Sequence, residues 1–372
     1  MTEHTPPALP SSPSTEAAPS IGLWVGTYPA AGAEAPAGAG EGIWEVSLDP
    51  ATGGLSGRQV VRTPAPSFVA AHPSGGVVYA VGAQEAGTVS VFTVTDPGPS
   101  DAAVALEHQA TVSSGGASPC HLLLAPDART LYVANYSSGT LAVLPLEPSG
   151  ALAPEVLASG PAQVFGHTGS GPRADRQESS HAHFVAFAPG GGRLLVSDLG
   201  ADELRRYRVA SDGLLAEDGI AARLPAGAGP RHLAFAADGR HAYVVGELDG
   251  AVHVLEWDEE SAAGAPVQRV PLVDPPLTAQ PSHIERDGDV LLVGVRGADL
   301  VVALRIGPDG LLERAQGATA LPGACPRHHA VVGGWTVVAE QVPGALVTLT
   351  PEGRAVAHVL PVPSPACVAP RR

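Results

Sequence analysis

Histidine, arginine and glutamate side chains recur in this sequence within short phrases that are regularly spaced. Six such phrases stand out: Pro66-Ser67-Phe68, Pro119-Cys120-His121, Ser180-His181-Ala182-His183, Pro230-Arg231-His232, Pro281-Ser282-His283 and Pro326-Arg327-His328. Imidazole and carboxylate groups can exchange protons with a substrate, and guanidinium groups bind anions through a planar fork of donors. If the fold brings the phrases together, they form a site for a polar, anionic small molecule.

Each phrase opens a longer repeat. An apolar strand follows it, then a turn, a second apolar strand, a polar pair and a third strand. The copies lie about 45–60 residues apart, which is typical of four-stranded propeller blades. Leu23–Tyr28 with Gly42–Leu48 supplies an incomplete seventh copy, and the apolar segment around Val356 to Val362 is expected to complete it by closing the ring.

The repeat therefore predicts an all-β fold, a seven-bladed β-propeller with four-stranded antiparallel blades around a central channel. A β-sandwich array is the alternative. We expect residues 21–372 to form this single domain. Residues 1–20 are rich in Pro, Ser, Thr and Glu and lack a basic start and an apolar run, so they are expected to be a disordered tail and not a signal peptide.

The repeat also predicts where the polar residues meet. The phrase opens the first strand of a hairpin and the polar pair closes the second, so both lie at the same edge of each blade. All blades share one orientation, so these edges converge around the channel. The phrases contribute His121, His183, Arg231, His232, His283, Arg327 and His328, and the strand ends contribute Asn135, Asp198, Glu247, Arg296 and Glu340.

Two interpretations apply to the recurring histidines. His121, His232, His283 and His328 occupy one repeat position, so they either contact substrate or tie neighbouring blades together, as repeated His and Asp residues do in WD-type propellers.

Residues that break the repeat favour function. They are His183 in a unique His-x-His, Arg231 and Arg327 in place of a small residue, and Glu247 and Arg296 in place of the Asn or Asp type seen at Asn135 and Asp198.

Composition excludes several classes of function. The formal net charge of −16 argues against nucleic acid as a partner, and all 21 basic residues are arginine, which excludes a Schiff-base lysine and a Walker-type loop. No G-x-S-x-G, H-E-x-x-H or cysteine cluster is present, so we expect neither a serine nucleophile nor a metal or other cofactor. Three widely spaced cysteines predict reduced thiols in the cytoplasm. We expect no membrane association, and we expect a monomer, because a closed ring leaves no free sheet edge.

Several longer phrases resemble one known family. They are VGTY at Val25–Tyr28, PCH at Pro119–His121, ANYSSG at Ala134–Gly139, GSGPRADRQESSHAH at Gly169–His183, DLGAD at Asp198–Asp202 and GPRHLAF at Gly229–Phe235. On these phrases the chain resembles the lactonase-type seven-bladed propellers, which include bacterial 6-phosphogluconolactonases and fungal carboxymuconate lactonizing enzymes. The resemblance covers nearly all of the chain after the tail.

The resemblance implies a lactone hydrolase, with 6-phospho-D-glucono-1,5-lactone of the pentose phosphate pathway as the expected substrate. A related lactonase or lactonizing enzyme for another acid and a non-catalytic scaffold are the alternatives. By motif, the family's catalytic set falls on His183, Arg231, Glu247 and Arg296. Other residues expected to bind substrate are His121, Arg173, Gln177, His181, His232, His283 and Arg327.

Lactone hydrolysis needs an activated water, a cradle for the oxyanion and a proton for the leaving ring oxygen. We expect Glu247 to act as base and His183 as acid, or the reverse, with Arg231 and Arg296 stabilising the oxyanion or gripping the substrate. The loop Gly169-Ser170-Gly171 with Arg173 and Arg176 is a candidate holder for a 6-phosphate, or an ordinary surface loop. Glu340-Gln341 stands where an Asn-Gln pair is expected, and its role is open.

Overall fold

A computed structural model of the protein describes residues 19–28, 42–95, 104–275, 277–351 and 355–371. These residues form seven four-stranded antiparallel sheets, which confirms the predicted seven-bladed propeller. Of the expected N-terminal tail, residues 1–18 lie outside the described residues. No helix in the described ranges is long and apolar enough to cross a membrane.

The strands follow the chain blade by blade. Blade 1 contains β1 (Ile21–Thr27), β2 (Ile43–Leu48) and β3 (Leu55–Val61). Blade 2 contains β4 (Val69–Ala71), β5 (Val77–Gly82), β6 (Thr88–Thr95) and β7 (Ala105–Ser113). Blade 3 contains β8 (Pro119–Leu124), β9 (Thr130–Asn135), β10 (Thr140–Pro145), the helix α1 (Pro154–Ser159) and β11 (Gln163–Gly166). Blade 4 contains β12 (Ala182–Phe187), β13 (Arg193–Asp198), β14 (Glu203–Val209) and β15 (Leu215–Arg223).

The last three blades repeat this order. Blade 5 contains β16 (Pro230–Phe235), β17 (His241–Gly246), β18 (Ala251–Asp258) and β19 (Ala263–Pro271). Blade 6 contains β20 (Gln280–Asp287), β21 (Val290–Arg296), β22 (Leu300–Ile306) and β23 (Leu312–Ala320). Blade 7 contains β24 (Ala324–Val332), β25 (Trp335–Val342), β26 (Ala345–Leu349) and β27 (Val356–Pro361). The final strand is β28 (Pro365–Pro370).

The ring closes through β28, which pairs with β1 and completes blade 1 in the order β28-β1-β2-β3. The expectation that the segment around Val356 to Val362 closes the ring was therefore wrong. That segment is β27, the fourth strand of blade 7, and its alternating exposure shows that only one of its faces packs against the protein. β28 is buried along most of its length, as a first strand next to the channel must be.

Each blade is covered by its neighbours on both faces. In β5, Tyr79 and Val81 pack against blade 3, whereas the alternate residues Val78 and Ala80 pack against blade 1. Successive side chains of a strand point to opposite faces, so a strand buried on both faces must be apolar at every position. This is why the inner strands appear in the sequence as continuous apolar runs.

A repeated tyrosine ties neighbouring blades together. Tyr79, Tyr132 and Tyr243 occupy equivalent places in second strands, and their hydroxyls donate to the turn carbonyls of Gly150, Gly213 and Gly310 in the next blade, at 2.6, 2.8 and 2.9 Å. Burial raises the pKa of Tyr132 and of Tyr243 to about 12, so both hydroxyls keep the proton that they donate.

We expect Tyr132→Phe to lower the free energy of unfolding by about 1–3 kcal/mol, because the Gly213 carbonyl loses its buried donor. Denaturant titration followed by circular dichroism measures this change. Tyr136→Phe is the control, because its hydroxyl contacts Arg176 in a cavity and not a neighbouring turn. Equal stability of Tyr132→Phe and the unmodified protein would show that the tyrosine tie contributes nothing.

Candidate active site

The polar residues of several blades meet in a cavity of about 340 Å³ at one end of the channel. We call it the mouth cavity. It is lined by Tyr28, Ser118, Cys120, Tyr136, Ser137, Arg176, His183, Arg231, Glu247, Arg296 and Arg327. Of the residues predicted to converge here, His183, Arg231, Glu247, Arg296 and Arg327 do so.

An extra residue in the first strand shapes this end of the channel. In β8, for example, Pro119 pairs with Asn135 and His121 with Ala134, so that Cys120 is the additional residue of a β-bulge. The same shift occurs in β12, β16, β20, β24 and β28. A bulge lets two consecutive side chains point toward one side, where a regular strand would alternate them.

Consecutive side chains at the bulges, and Ser67 and Phe68 just before β4, which has no bulge, define two layers by their repeat positions. The outer one, the mouth layer, contains Ser67, Cys120, His183, Arg231, Ser282, Arg327 and Ala366. The inner one, the floor layer, contains Phe68, His121, Phe184, His232, His283, His328 and Cys367. A small cavity of about 10 Å³, the size of one water molecule, lies between residues of both layers.

The rings of the floor layer close a circle across the channel. Phe68 packs on His121, His121 on Phe184 and Phe184 on His232, with centroid separations of 4.3, 4.2 and 4.4 Å. The circle continues through His283 and His328 and returns to Phe68. This ring forms the bottom of the site.

The floor histidines also join blades. His121 accepts the Val185 N–H of the next blade through Nδ1 at 3.3 Å, and His328 accepts the Val368 N–H at 3.4 Å. These contacts favour the interpretation of the repeated histidines as ties between blades. His121, His232 and His283 do not line the mouth cavity.

Glu247 is the common counterion of three arginines. Its carboxylate lies 2.6 Å from Arg176 Nη2, 2.9 Å from Arg231 Nε and 2.8 Å from Arg296 Nη2. Only 3% of Glu247 is exposed. Burial by itself would raise its pKa, but Arg296 and Arg231, together with His183 and Arg176, hold the pKa well below its usual range. Glu247 is therefore a carboxylate at neutral pH and a weak proton acceptor.

His183 lines the same cavity as Glu247, but it is uncharged. Burial and the charge of Arg231 lower its pKa well below the usual value, against the opposing influence of Glu247. The imidazole is therefore neutral at pH 7 and has a free electron pair. Glu247 is unprotonated as well, but arginines occupy both of its carboxylate oxygens, and this pairing favours His183 as the base.

The register corrects one comparison between blades. Val295 and Gly246 stand in the repeat position of Asn135, because they pair with Pro281 and Pro230 as Asn135 pairs with Pro119. Glu247 and Arg296 therefore match Tyr136, one position later, and the comparison of these two with Asn135 and Asp198 was wrong by one residue.

The residues at the true strand ends support turns. Asn135 bonds the Ser114 and Thr140 side chains, and Asp198 accepts from Ser180 and from the His181 N–H. Glu340 accepts from the Gly323 N–H at 3.0 Å. None of the three lines the mouth cavity.

The loop before β12 contributes Arg176 to the mouth cavity, whereas Arg173 lies outside it. Arg173 is half exposed and contacts Asp175 and the Leu248 carbonyl. The Gly171 N–H bonds the Gln177 carbonyl, and a Cβ at Gly171 would collide with the Gln177 side chain, so this glycine serves close packing.

Gln177 and His181 do not line the mouth cavity, but they contact residues around it. Gln177 is fully buried and donates to the Leu199 carbonyl and to Asp202. His181 stacks on the Tyr136 ring at a centroid distance of 4.4 Å, and its Nδ1 lies 3.0 Å from the Tyr136 carbonyl oxygen. His181 therefore orients Tyr136, which lines the cavity.

Arg327 differs from the other arginines of the mouth cavity. Its guanidinium lies 4.8 Å from the centre of the Tyr28 ring and 3.3 Å from the Gln341 side-chain oxygen. Among the described residues no carboxylate pairs with it. Four guanidinium groups share the cavity with one carboxylate, so the site has three positive charges in excess, although the chain carries −16.

Sequence reasoning missed Tyr28, Cys120 and Tyr136 as cavity residues. Cys120 stands in the same repeat position as His183 and Arg231, and this equivalence was the available signal. Burial raises the pKa of the Cys120 thiol to about 12, so it is not a nucleophile at neutral pH. Tyr28 and Tyr136 follow strand ends, where only the three-dimensional arrangement distinguishes cavity from turn.

We expect Glu247→Gln to lower the free energy of unfolding by about 3–5 kcal/mol at pH 7, because three arginines lose a buried counterion. A carboxyl group with a depressed folded-state pKa stabilises the protein above its unfolded value of 4.5 and ceases to do so as pH falls through the folded value. The difference between the two proteins should therefore be largest at neutral pH and shrink in acid below pH 4.5. Denaturant titrations at several pH values measure it, and a difference that does not change with pH would contradict the assignment.

Comparison with known proteins identifies the family and the fold of this chain. Residues 22–369 match the family model described as "Lactonase, 7-bladed beta-propeller". A 6-phosphogluconolactonase from Bacillus subtilis is 31% identical over 289 residues, which cover 76% of this chain and 77% of the relative.

Two solved structures agree with the fold along nearly the whole chain. A periplasmic gluconolactonase from Pseudomonas aeruginosa has a TM-score of 0.80 at 28% identity, covering 95% of this chain and 99% of the other. A protein from Lactobacillus plantarum has a TM-score of 0.82 at 25% identity, covering 94% and 98%.

Proposed function

Because this chain belongs to the seven-bladed β-propeller lactonase family, we propose that it hydrolyses an anionic sugar lactone, with 6-phospho-D-glucono-1,5-lactone as the first candidate. The mouth cavity has three positive charges in excess, and this observation favours an anionic lactone as the substrate. Guanidinium groups suit a phosphate or carboxylate because they offer paired donors in one plane.

We propose that His183 activates the attacking water. Its neutral imidazole lines both the mouth cavity and the small cavity below it, which is large enough for one water molecule beside the lactone carbonyl. His183 takes a proton as the water oxygen bonds to the carbonyl carbon. The imidazolium so formed is stabilised by the nearby Glu247 carboxylate.

The arginines held by Glu247 would stabilise the oxyanion. Arg231 lines both cavities, and burial followed by the charge of Arg296 lowers its pKa only to about 9, so it remains charged at neutral pH. Its side chain is fixed by Glu247 and by the Ser282 carbonyl, so little reorganisation is needed as charge develops. When the tetrahedral intermediate collapses, the bond from the former carbonyl carbon to the ring oxygen breaks. The His183 imidazolium then returns its proton to that oxygen.

An unphosphorylated lactone is the second candidate, because a solved relative with 28% identity is a periplasmic gluconolactonase. We propose a cytoplasmic location and a place in carbohydrate metabolism for the phosphorylated candidate. The three cysteines, which are free thiols in the structure, fit a reducing compartment. A monomer remains our prediction.

We expect the protein to accelerate hydrolysis of freshly generated 6-phosphogluconolactone above the spontaneous rate, and His183→Ala to reduce kcat about 10²- to 10⁴-fold. Coupling the product to 6-phosphogluconate dehydrogenase measures the rate. Glu247→Gln should also lose activity, and its fold is checked by circular dichroism. Acceleration that persists in both variants would leave the reaction in place and reject the proposed site. No acceleration by the unmodified protein would reject this substrate.

We propose that Arg327 binds the anionic substituent of the substrate, because no described carboxylate occupies it. Arg327→Gln should lower kcat/KM for the phosphorylated lactone about 10- to 100-fold, mainly through KM, because a charge-assisted contact is lost. The same variant should change kcat/KM for D-glucono-1,5-lactone less than about threefold, since that substrate carries no phosphate. Arg305→Gln, at an exposed ion pair with Glu313, is the matched control. Equal losses on both lactones would argue against a phosphate contact.

A further inference from the structure

Blades 6 and 7 break the repeat at two first-strand positions just beyond the floor layer. His329 stands where the other blades have the apolar residues Val69, Leu122, Val185, Leu233, Ile284 and Val368. Glu285 stands where the other blades have Ala70, Leu123, Ala186, Ala234, Ala330 and Ala369. Because the six other blades form with apolar residues at each position, neither polar residue is required to build a blade.

The two exceptions meet each other and a floor histidine. His283, Glu285 and His329 each offer a nitrogen or oxygen atom, and these atoms all lie within 4.8 Å of one another. The rings of His283 and His329 have centroids 4.7 Å apart. Glu285 accepts the Val331 N–H at 3.0 Å, which places its carboxyl group against β24 of the next blade. The cluster therefore spans the seam between blades 6 and 7.

His329 is the buried member of the cluster, whereas His283 and Glu285 are half-buried. Only 1% of His329 is exposed, and apart from a contact with the Leu292 backbone its ring nitrogens form no hydrogen bond in the described part of the chain. Within the same residues, no Arg or His forms an ion pair with Glu285. Burial raises the pKa of Glu285 to about 7. Buried polar groups without partners are costly, and a bound ligand is a common reason for them to persist.

We propose that His283, Glu285 and His329 bind a divalent transition-metal ion, and that Zn²⁺ suits the site well. Two imidazoles and one carboxylate are a common protein ligand set for zinc. Ligand atoms around a tetrahedral zinc ion lie about 3.4 Å apart, so modest side-chain rotations would close the present separations around an ion.

A neighbouring histidine prepares His283 for this role. His283 Nδ1 lies 2.9 Å from His232 Nδ1, which leaves Nε2 of His283 for a metal and gives the ring an outer partner that fixes its orientation.

The site is distinct from the mouth cavity, which none of the three residues lines. A metal there would join β20 to β24 and strengthen the seam between two blades, whatever reaction the mouth performs. Sequence motifs predicted no metal because the ligands come from two blades and are separated by 2 and 44 positions.

The test uses the untagged full-length chain, freed of metal with a chelator and then titrated with Zn²⁺ by calorimetry. We expect one equivalent to bind with a dissociation constant below about 1 μM, and we expect the melting temperature to rise with Zn²⁺. Co²⁺ in place of Zn²⁺ should show the intense visible absorption of a four- or five-coordinate site.

The variants restore residues that other blades use at the same positions. His329→Leu and Glu285→Ala should each weaken Zn²⁺ binding at least about 100-fold and abolish the thermal shift. His121→Phe is the control, because it removes a floor histidine outside the cluster, and it should retain binding. Binding by the unmodified protein weaker than about 1 μM, or undiminished binding in a folded Glu285→Ala, would overturn the proposal. The second variant keeps the test decisive if His329→Leu fails to fold.

Discussion

One extra residue in the first strand of a blade determines how this end of the channel is built. A regular strand would send alternate side chains into the channel, and the residues between them would face the neighbouring blade. The bulge in β8, β12, β16, β20, β24 and β28 instead turns two consecutive side chains inward. One residue of each pair enters the mouth layer and the next enters the floor layer. The side chains of the mouth layer therefore lie on the closed ring of aromatic and imidazole groups in the floor layer.

The electrostatics of the site depend on removing charge from water without leaving it unpaired. Arg231 and Glu247 are each about 3% exposed, and such burial would be costly for either alone. Sharing one carboxylate among three guanidinium groups keeps each arginine paired while the cavity as a whole stays positive. The cavity is thus a local region of positive charge within a chain of net charge −16, which would attract the anionic substrate that we propose. The same arrangement keeps Glu247 ionised and His183 neutral, as the proposed mechanism requires.

The blades act as internal references for one another. At the floor position the histidines recur, and two of them accept backbone N–H groups from the next blade, which identifies a structural role. At the mouth position the residue varies between Ser, Cys, His, Arg and Ala, and the side chains of His183, Arg231 and Arg327 line the cavity. The same comparison singles out Glu285 and His329, which no packing requirement explains. In a repeat protein, departures from the repeat therefore separate chemistry from architecture within a single sequence.

The sequence by itself determined the architecture, because strand period, turn residues and repeat spacing are local properties. It also singled out His183, Arg231, Glu247 and Arg296, all of which line the mouth cavity, although the repeat comparison behind the last two was wrong by one position. Tertiary structure alone decided which strand closes the ring, because apolar content cannot distinguish β27 from β28. It also decided that Arg176 and not Arg173 enters the cavity, which depends on how one loop packs around Gln177. Protonation states and the His283–Glu285–His329 cluster were equally inaccessible from sequence, because burial and contact between blades exist only in the folded chain.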